Sequence, residues 1–175
     1  FQKLECVCLY TADIAASLRR RAPVALRVNP DVDARTHDKI STGKKGDKFG
    51  VALSEVAGLF EAAATRPEID MVGLAVHIGS QILDLAPYRH AYGVLADLVR
   101  DLRAKGHSVR RLDLGGGIGI AYGAQGAPEV SELAAIIDET LGDLGCALTV
   151  EPGRWLVGRA GALVTTVLYT KEAGD

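Results

Sequence analysis

The sequence predicts an α/β fold with a parallel sheet, and two observations support this. Four apolar strands alternate with helical segments at intervals of roughly 35 to 50 residues, which is typical of βα units. In each strand the polar or special residues lie at the C-terminal end, where (β/α) barrels and open α/β sheets both place their active sites. A complete (β/α)8 barrel takes about 250 residues. Four strands therefore correspond to half of one.

The predicted strands have aliphatic side chains on one face and polar or small ones on the other. In the first, Leu26 and Val28 alternate with Arg27 and Asn29, which we expect to point inward as supporting residues. This pattern indicates an exterior covered by helices and an interior that faces a ligand. The four strands are 24–29, 72–77, 112–114 and 147–151.

Helices are predicted wherever apolar residues recur at spacings of three and four. Ser54 is the predicted N-cap of a helix that ends before Pro67, and Gly106 is the residue that stops the long third helix. After the last strand, the β-branched run 162–170 has no helix behind it and is typical of a further strand. The predicted helices begin at Thr11, Ser54, Tyr88 and Val130, and the last two end at about Lys105 and Leu144.

The composition is that of an ordinary globular protein and argues against several functions. Hydrophobic residues make up 48% and charged residues 24%, and a net charge of -2 provides no basic field for nucleic acid. No apolar run approaches the ~20 residues of a membrane span. Cys6, Cys8 and Cys146 lack the spacing of a disulfide framework, and the Cys-x-Cys pair at 6–8 is only a weak metal signal. We expect buried or idle thiols, no metal and a cytoplasmic location.

Three consecutive glycines, Gly115, Gly116 and Gly117, follow the third strand. Such a turn can take positive φ angles and expose several N–H groups at once, which suits a phosphate. A tight turn without a ligand is an equally good interpretation of this segment alone. Neither the G-x-G-x-x-G fingerprint of dinucleotide-binding folds nor a G-x-x-x-x-G-K-[ST] loop fits the spacing.

Together the strand ends offer a flat imidazole on His77, the glycine turn, the carboxylate of Glu151 and a guanidinium. A cofactor with a phosphate, an aromatic ring and a basic ring nitrogen would use all four groups. Pyridoxal 5′-phosphate is such a cofactor, because a carboxylate beside its pyridine nitrogen keeps the ring protonated and able to absorb an electron pair. A satisfied core histidine is the alternative for His77.

Three motifs in this order resemble the fold-type III pyridoxal phosphate-dependent decarboxylases. They are His-Ile-Gly-Ser-Gln at 77–81, Gly-Gly-Gly-Ile-Gly at 115–119 and Glu-Pro-Gly-Arg at 151–154. Within that family the chain is most similar to the diaminopimelate decarboxylases, because of Gln81, the Ile-Ser-Thr-Gly loop at 40–43 and Trp155 after the last motif. The resemblance covers about residues 24–171.

The resemblance implies an alanine racemase-like barrel, present here as about its C-terminal half over 1–157, and the start of a C-terminal β domain over 158–175. It implies that His77 stacks on the cofactor ring and that Glu151 pairs with the pyridine nitrogen. Arg154 would lie beside the cofactor and contact an amino-acid substrate. The residues implied to hold the cofactor are His77, Ser80, Gly115, Gly116, Gly117, Glu151, Gly153 and Arg154.

The family also uses a Schiff-base lysine and a cysteine contributed across a homodimer interface, and neither motif occurs in this sequence. We therefore expect an internal fragment without catalytic residues of its own, inactive alone. The parent enzyme would convert meso-2,6-diaminopimelate to L-lysine and CO2. A sister decarboxylase of arginine, ornithine or carboxynorspermidine and a non-catalytic relative remain alternatives.

Several other polar residues have two interpretations. Tyr122 and Gln125 line the mouth of the site or simply pack. Lys44, Lys45 and Lys48 contact an anionic ligand or, as we prefer, form a solvated charged loop.

Overall fold

A five-stranded parallel sheet forms the centre of the computed structural model, which describes residues 14–33, 49–124, 126–162 and 164–171. The strands are ordered β2-β1-β3-β4-β5 and every neighbouring pair is parallel, as the sequence predicts. The short β2 pairs with β1 and was not predicted. The elements are β1 Ala22–Asn29, β2 Val51–Ala52, α1 Leu53–Ala64, β3 Ile69–Ala75, α2 Ala86–Ala104, β4 Arg111–Gly116, α3 Val130–Leu141, β5 Ala147–Glu151 and α4 Gly153–Val157.

The hydrophobic core lies between one face of the sheet and the helices. Leu26 and Val28 are buried while Arg27 between them is exposed, which confirms the predicted alternation in β1. Each buried aliphatic side chain contributes about 1.5–3 kcal/mol relative to an exposed one. The core members that the sheet and helices share are Leu26, Val28, Leu74, Val76, Leu112, Leu114, Val56, Phe60, Leu95 and Val99.

Strand β3, which corresponds to the second predicted strand, is displaced from its predicted position. It spans Ile69–Ala75 rather than 72–77, because pairing with β1 begins at Ala22 opposite Ile69. An apolar pattern could not detect this start, which is interrupted by Asp70. His77 consequently lies just beyond the end of the strand, in the segment that leads to the site.

The predicted helices form, and their ends differ in three places. Ser54 is not the N-cap of α1, because β2 runs directly into a helix that begins at Leu53 with Ala52 at the cap. Helix α2 begins at Ala86 rather than Tyr88, and α3 ends at Leu141 and is followed by a 3-10 turn, Gly142–Leu144. Gly106 stops α2 with φ +86°, as predicted. Residues 14–17 form a helical turn, whereas Thr11 lies outside the described residues.

The end of the chain differs most from the sequence prediction. The short helix α4 follows β5 directly, where we expected only a break at Pro152 and Gly153. The described part of the β-branched run 162–170 is exposed and forms no strand, because a strand needs a neighbour for its backbone hydrogen bonds. The domain boundary at 158 stays a prediction. In the described part of the chain, no helix has the length and apolar character needed to cross a membrane.

Candidate functional site

The glycine turn lies against the backbone that leaves β3 and against the end of β5. Gly115 and Gly117 have φ angles of +66° and +98°. A Cβ atom on Gly115, Gly116 or Gly117 would lie 2.3, 1.9 or 2.1 Å from a backbone oxygen of Val76, Glu151 or Gly79. Contact between backbones therefore requires these three glycines, whether or not a ligand binds.

Two N–H groups of this turn are used within the protein. The N–H of Gly115 donates to Oδ1 of Asp113 at 2.9 Å, and the N–H of Gly116 donates to Nδ1 of His77 at 3.2 Å. The turn therefore exposes fewer N–H groups to a ligand than the sequence predicts. An anion bound here would depend on other donors as well.

His77 lies beside the turn as a half-buried, neutral imidazole. Its Nδ1 accepts a hydrogen bond, so that nitrogen carries no proton. Burial lowers the pKa of His77, and the positive charge of Arg27 lowers it further. Glu151 and Asp113 act in the opposite direction on the pKa, which places both carboxylates in the field of the ring.

Arg154 connects two distant parts of the sequence at the same strand ends. Its guanidinium donates to Oγ of Ser80 at 3.1 Å and to the hydroxyl of Tyr122 at 3.0 Å. It also lies 5.9 Å from the centre of the Tyr122 ring, a cation–π distance. Because the Ser80 oxygen accepts from Arg154, the hydroxyl proton of Ser80 is available to an anion. The interpretation of Tyr122 as a residue of the site mouth therefore has geometric support.

Two buried tyrosines on α2 contact backbone carbonyls of the glycine turn and of the strand before it. The hydroxyl of Tyr88 donates to the carbonyl of Gly116 at 3.1 Å, and that of Tyr92 contacts the carbonyl of Leu114 at 3.5 Å. Burial raises the pKa of both tyrosines, so both hydroxyls stay protonated as donors. The spacing of apolar residues along the helix predicts Tyr88 only as one of its apolar positions. The available signal was tyrosine rather than phenylalanine on a buried helix face.

The remaining predicted site residues lie around this centre. Glu151 is exposed at the end of β5, opposite Gly116 in the strand register, and Gly153 begins α4. Asn29 is buried, and its Oδ1 accepts the N–H of Asp31, so it holds the end of β1. The guanidinium carbon of Arg27 lies over the Phe49 ring, 5.2 Å from the ring centre.

Other predicted residues lie outside the described parts of the chain. They are Gln125, Lys44, Lys45, Lys48, Cys6, Cys8 and the loop 40–43. Among the residues that are described, no three histidine, cysteine or acidic side chains are grouped so that they could hold a metal ion.

The arrangement suits an anionic, aromatic ligand with a basic nitrogen. Arg154 and Ser80 provide a cation and a hydroxyl donor for a phosphate or carboxylate. Glu151 provides an exposed carboxylate, and the neutral ring of His77 provides a flat surface. These side chains meet at the C-terminal ends of parallel strands, where enzymes of this architecture bind their ligands.

Comparison with known proteins agrees with this geometry. A family model described as "Pyridoxal-dependent decarboxylase, pyridoxal binding domain" matches residues 8–158. The diaminopimelate decarboxylase of Neisseria meningitidis serogroup B is 44% identical over 158 residues, covering 90% of this chain and 38% of that protein. The chain thus spans little more than a third of the length of the curated relatives that it matches.

Solved structures give the same result for the fold. The crystal structure of diaminopimelate decarboxylase from Helicobacter pylori, complexed with L-lysine, matches with a TM-score of 0.78 and 38% identity. The match covers 82% of this chain and 36% of that one. The arginine decarboxylase of Paramecium bursaria Chlorella virus matches with a TM-score of 0.63 at 23% identity, covers 82% of this chain and 37% of that one, and shares the fold alone. The sheet described above is therefore part of the TIM-barrel-type fold of these enzymes.

Proposed function

Because this chain belongs to the pyridoxal-dependent decarboxylase family, we propose that it is part of a pyridoxal 5′-phosphate-dependent carboxy-lyase that converts meso-2,6-diaminopimelate to L-lysine and CO2. The hydrogen bond from Arg154 to Ser80 carries the structural part of this proposal. It joins a cation and a hydroxyl, 74 residues apart in the sequence, beside the glycine turn. That pair is suited to the phosphate of the cofactor or the carboxylate of a substrate.

The donor set of the site fits pyridoxal 5′-phosphate. Ser80, with the turn formed by Gly115, Gly116 and Gly117, would hold the phosphate, and Arg154 would neutralise its charge. Glu151 would keep a proton on the pyridine nitrogen, and His77 would cover one face of the ring. When bound, the cofactor supplies an electron-accepting ring that takes up the electron pair left by the departing carboxylate.

His77 is well suited to cover the ring because it is neutral. A protonated imidazole would place a second cation beside a pyridinium ring, and the lowered pKa of His77 opposes this. The exposed carboxylate of Glu151 supplies the matching negative charge. The two residues thus have different tasks, one to pack and one to hold a proton.

No lysine or cysteine of this sequence lies in the motif that the family uses for covalent attachment of the cofactor or for the later proton transfer. A Schiff-base lysine and a cysteine from a second subunit are what membership of this family implies, and they would come from other parts of the protein. We propose that the complete enzyme is a cytoplasmic homodimer and that the 175-residue chain alone is inactive.

The choice of substrate follows from sequence similarity. Relatives named diaminopimelate decarboxylase are 40–44% identical to this chain, whereas the viral arginine decarboxylase is 23% identical and supports only the fold. Decarboxylation of diaminopimelate is therefore preferred over that of arginine, ornithine or carboxynorspermidine. A protein that binds the cofactor without chemistry is the remaining alternative.

The test is release of CO2 by the protein from the complete reading frame that contains this chain. We expect cofactor-dependent release from meso-2,6-diaminopimelate and none from arginine, ornithine or carboxynorspermidine. Glu151→Gln should lower kcat by at least about 100-fold, whereas Glu132→Gln, an exposed change on α3, should not. Turnover of arginine instead would select the sister activity. Cofactor binding without turnover of any of these amino acids would indicate a non-catalytic relative.

A further inference from the structure

Gln81 connects the loop after β3 to the segment that leaves the glycine turn. Its side-chain Nε2 donates to the carbonyl of Ile120 at 2.6 Å, and its Oε1 accepts the N–H of Ile120 at 3.2 Å. The N–H of Ile82 donates to the carbonyl of Gly117, and the N–H of Gly119 donates to the carbonyl of Ile82, both at 2.9 Å. The amide of Gln81 therefore adds two hydrogen bonds beside a short parallel pairing of the two segments.

The backbone of Gln81 is strained. Its φ angle is +59°, in the left-handed region that is unfavourable for a residue other than glycine. Such strain persists where surrounding contacts determine the conformation, and it is concentrated at binding sites. Here the contacts are the two hydrogen bonds to Ile120 and the completely buried side chain of Ile82.

The two hydrogen bonds between the Gln81 amide and Ile120, which we call the clamp, lie close in sequence to both hydrogen-bond acceptors of Arg154. Ser80 precedes Gln81 directly, and Tyr122 lies two residues after Ile120. Arg154 donates to Ser80 on one side and to Tyr122 on the other. The two acceptors therefore belong to segments that the Gln81 amide joins. The hydrogen bonds of Gln81 and of Arg154 together link these two segments twice.

We propose that Gln81 is a positioning residue for phosphate binding, acting through the backbone of Ile120 to hold Ser80, Arg154 and the glycine turn in register. This inference rests on the proposed function, since it concerns the phosphate of that cofactor. Without the clamp, Ser80 shifts relative to the glycine turn, although the backbone hydrogen bonds of Ile82 still join the two segments. Glu151, which would contact the cofactor ring, lies on another strand, β5, and is not displaced.

The experiment compares two ligands in the complete protein. Pyridoxal 5′-phosphate and pyridoxal have the same pyridine ring and differ in the 5′ group, so the Kd of pyridoxal divided by the Kd of the phosphorylated form reports the contribution of the phosphate. We expect Gln81→Asn and Gln81→Glu to reduce this ratio about tenfold, the effect of losing one or two buried hydrogen bonds. Glu132→Gln on the surface of α3 is the control and should leave the ratio unchanged.

The glutamate variant adds a pH signature that a purely structural role would not produce. At neutral pH its carboxylate faces the Ile120 carbonyl and repels it, whereas the protonated acid donates as the amide does. The ratio for Gln81→Glu, divided by that of the native protein at the same pH, should therefore recover as the pH falls. Asparagine tolerates a positive φ angle but is one methylene too short to bridge both groups of Ile120, so Gln81→Asn serves as the test if the glutamate variant fails to fold.

Each result has a separate meaning. If the native protein binds pyridoxal as tightly as the phosphorylated form, the proposed function fails. If the native protein prefers the phosphorylated form and the Gln81 variants keep that preference, the proposed role of Gln81 is overturned. An equal weakening of both ligands would also overturn it, because the loss would then concern the ring or the fold rather than the phosphate.

Discussion

The centre of the sheet and its β5 edge contribute to the same site in different ways. At the centre, Gly116 is buried between β3 and β5, and the buried Tyr88 holds it from behind. At the edge every residue of β5 is exposed, and Trp155 of α4 is 44% exposed. The centre therefore sets the geometry of the backbone, while the edge supplies charged groups that can adjust to a ligand.

The largest effect should follow from adding a methyl group at the centre. In Gly116→Ala the new Cβ would lie 1.9 Å from the Glu151 carbonyl oxygen, so β4 and β5 must separate. We expect a loss of about 3 kcal/mol in the free energy of unfolding, measured with urea. Gly93→Ala is the control, because this glycine lies inside α2 with nothing within 4 Å of the added atom. It should stabilise the protein by about 0.5–1 kcal/mol.

A smaller loss is expected when only the support of the turn is removed. Tyr88→Phe leaves the buried carbonyl of Gly116 without its 3.1 Å donor and should cost about 1–2 kcal/mol of unfolding free energy. Tyr92→Phe is the matched change one turn later, where the contact is 3.5 Å, and should cost less. Equal losses would mean that the hydroxyl of Tyr88 does not support the turn specifically.

The free energy of unfolding is expected to depend on pH through His77, which lies between the centre and the edge. Its pKa is lowered in the folded state by burial and by Arg27, so the unfolded chain binds protons more readily. Stability should therefore be complete above the unfolded pKa of about 6.5 and fall as the pH decreases below it. The effect should be smaller than that of Tyr88→Phe because the imidazole is half-buried. Urea unfolding between about pH 5 and pH 7 should show a weaker slope for His77→Gln than for the native protein.

The sequence predicted the centre of the fold better than its details. Strand alternation identified Leu26 and Val28 as core residues. The family resemblance assigned Ser80 and Arg154 to one site, and their hydrogen bond forms because βα units bring strand ends together. Local pattern could not reveal β2, which exists only by pairing with β1. The role of the Gln81 amide was equally hidden, because its partner is the backbone of a residue 39 positions away.

The smallest change in stability, and the clearest contrast with Tyr88, should come from the same substitution at the edge. Tyr122→Phe removes the 3.0 Å hydrogen bond to Arg154 but keeps the ring beneath the guanidinium, and this side chain is 59% exposed. We expect a loss of less than about 0.5 kcal/mol in unfolding free energy, yet binding of pyridoxal 5′-phosphate about threefold weaker. Tyr169→Phe, at an exposed tyrosine of the C-terminal segment, should change neither. If Tyr122→Phe destabilised the protein as much as Tyr88→Phe, the edge would have the structural role that we assign to the centre. If it left cofactor binding unchanged, Tyr122 would have no role in the site.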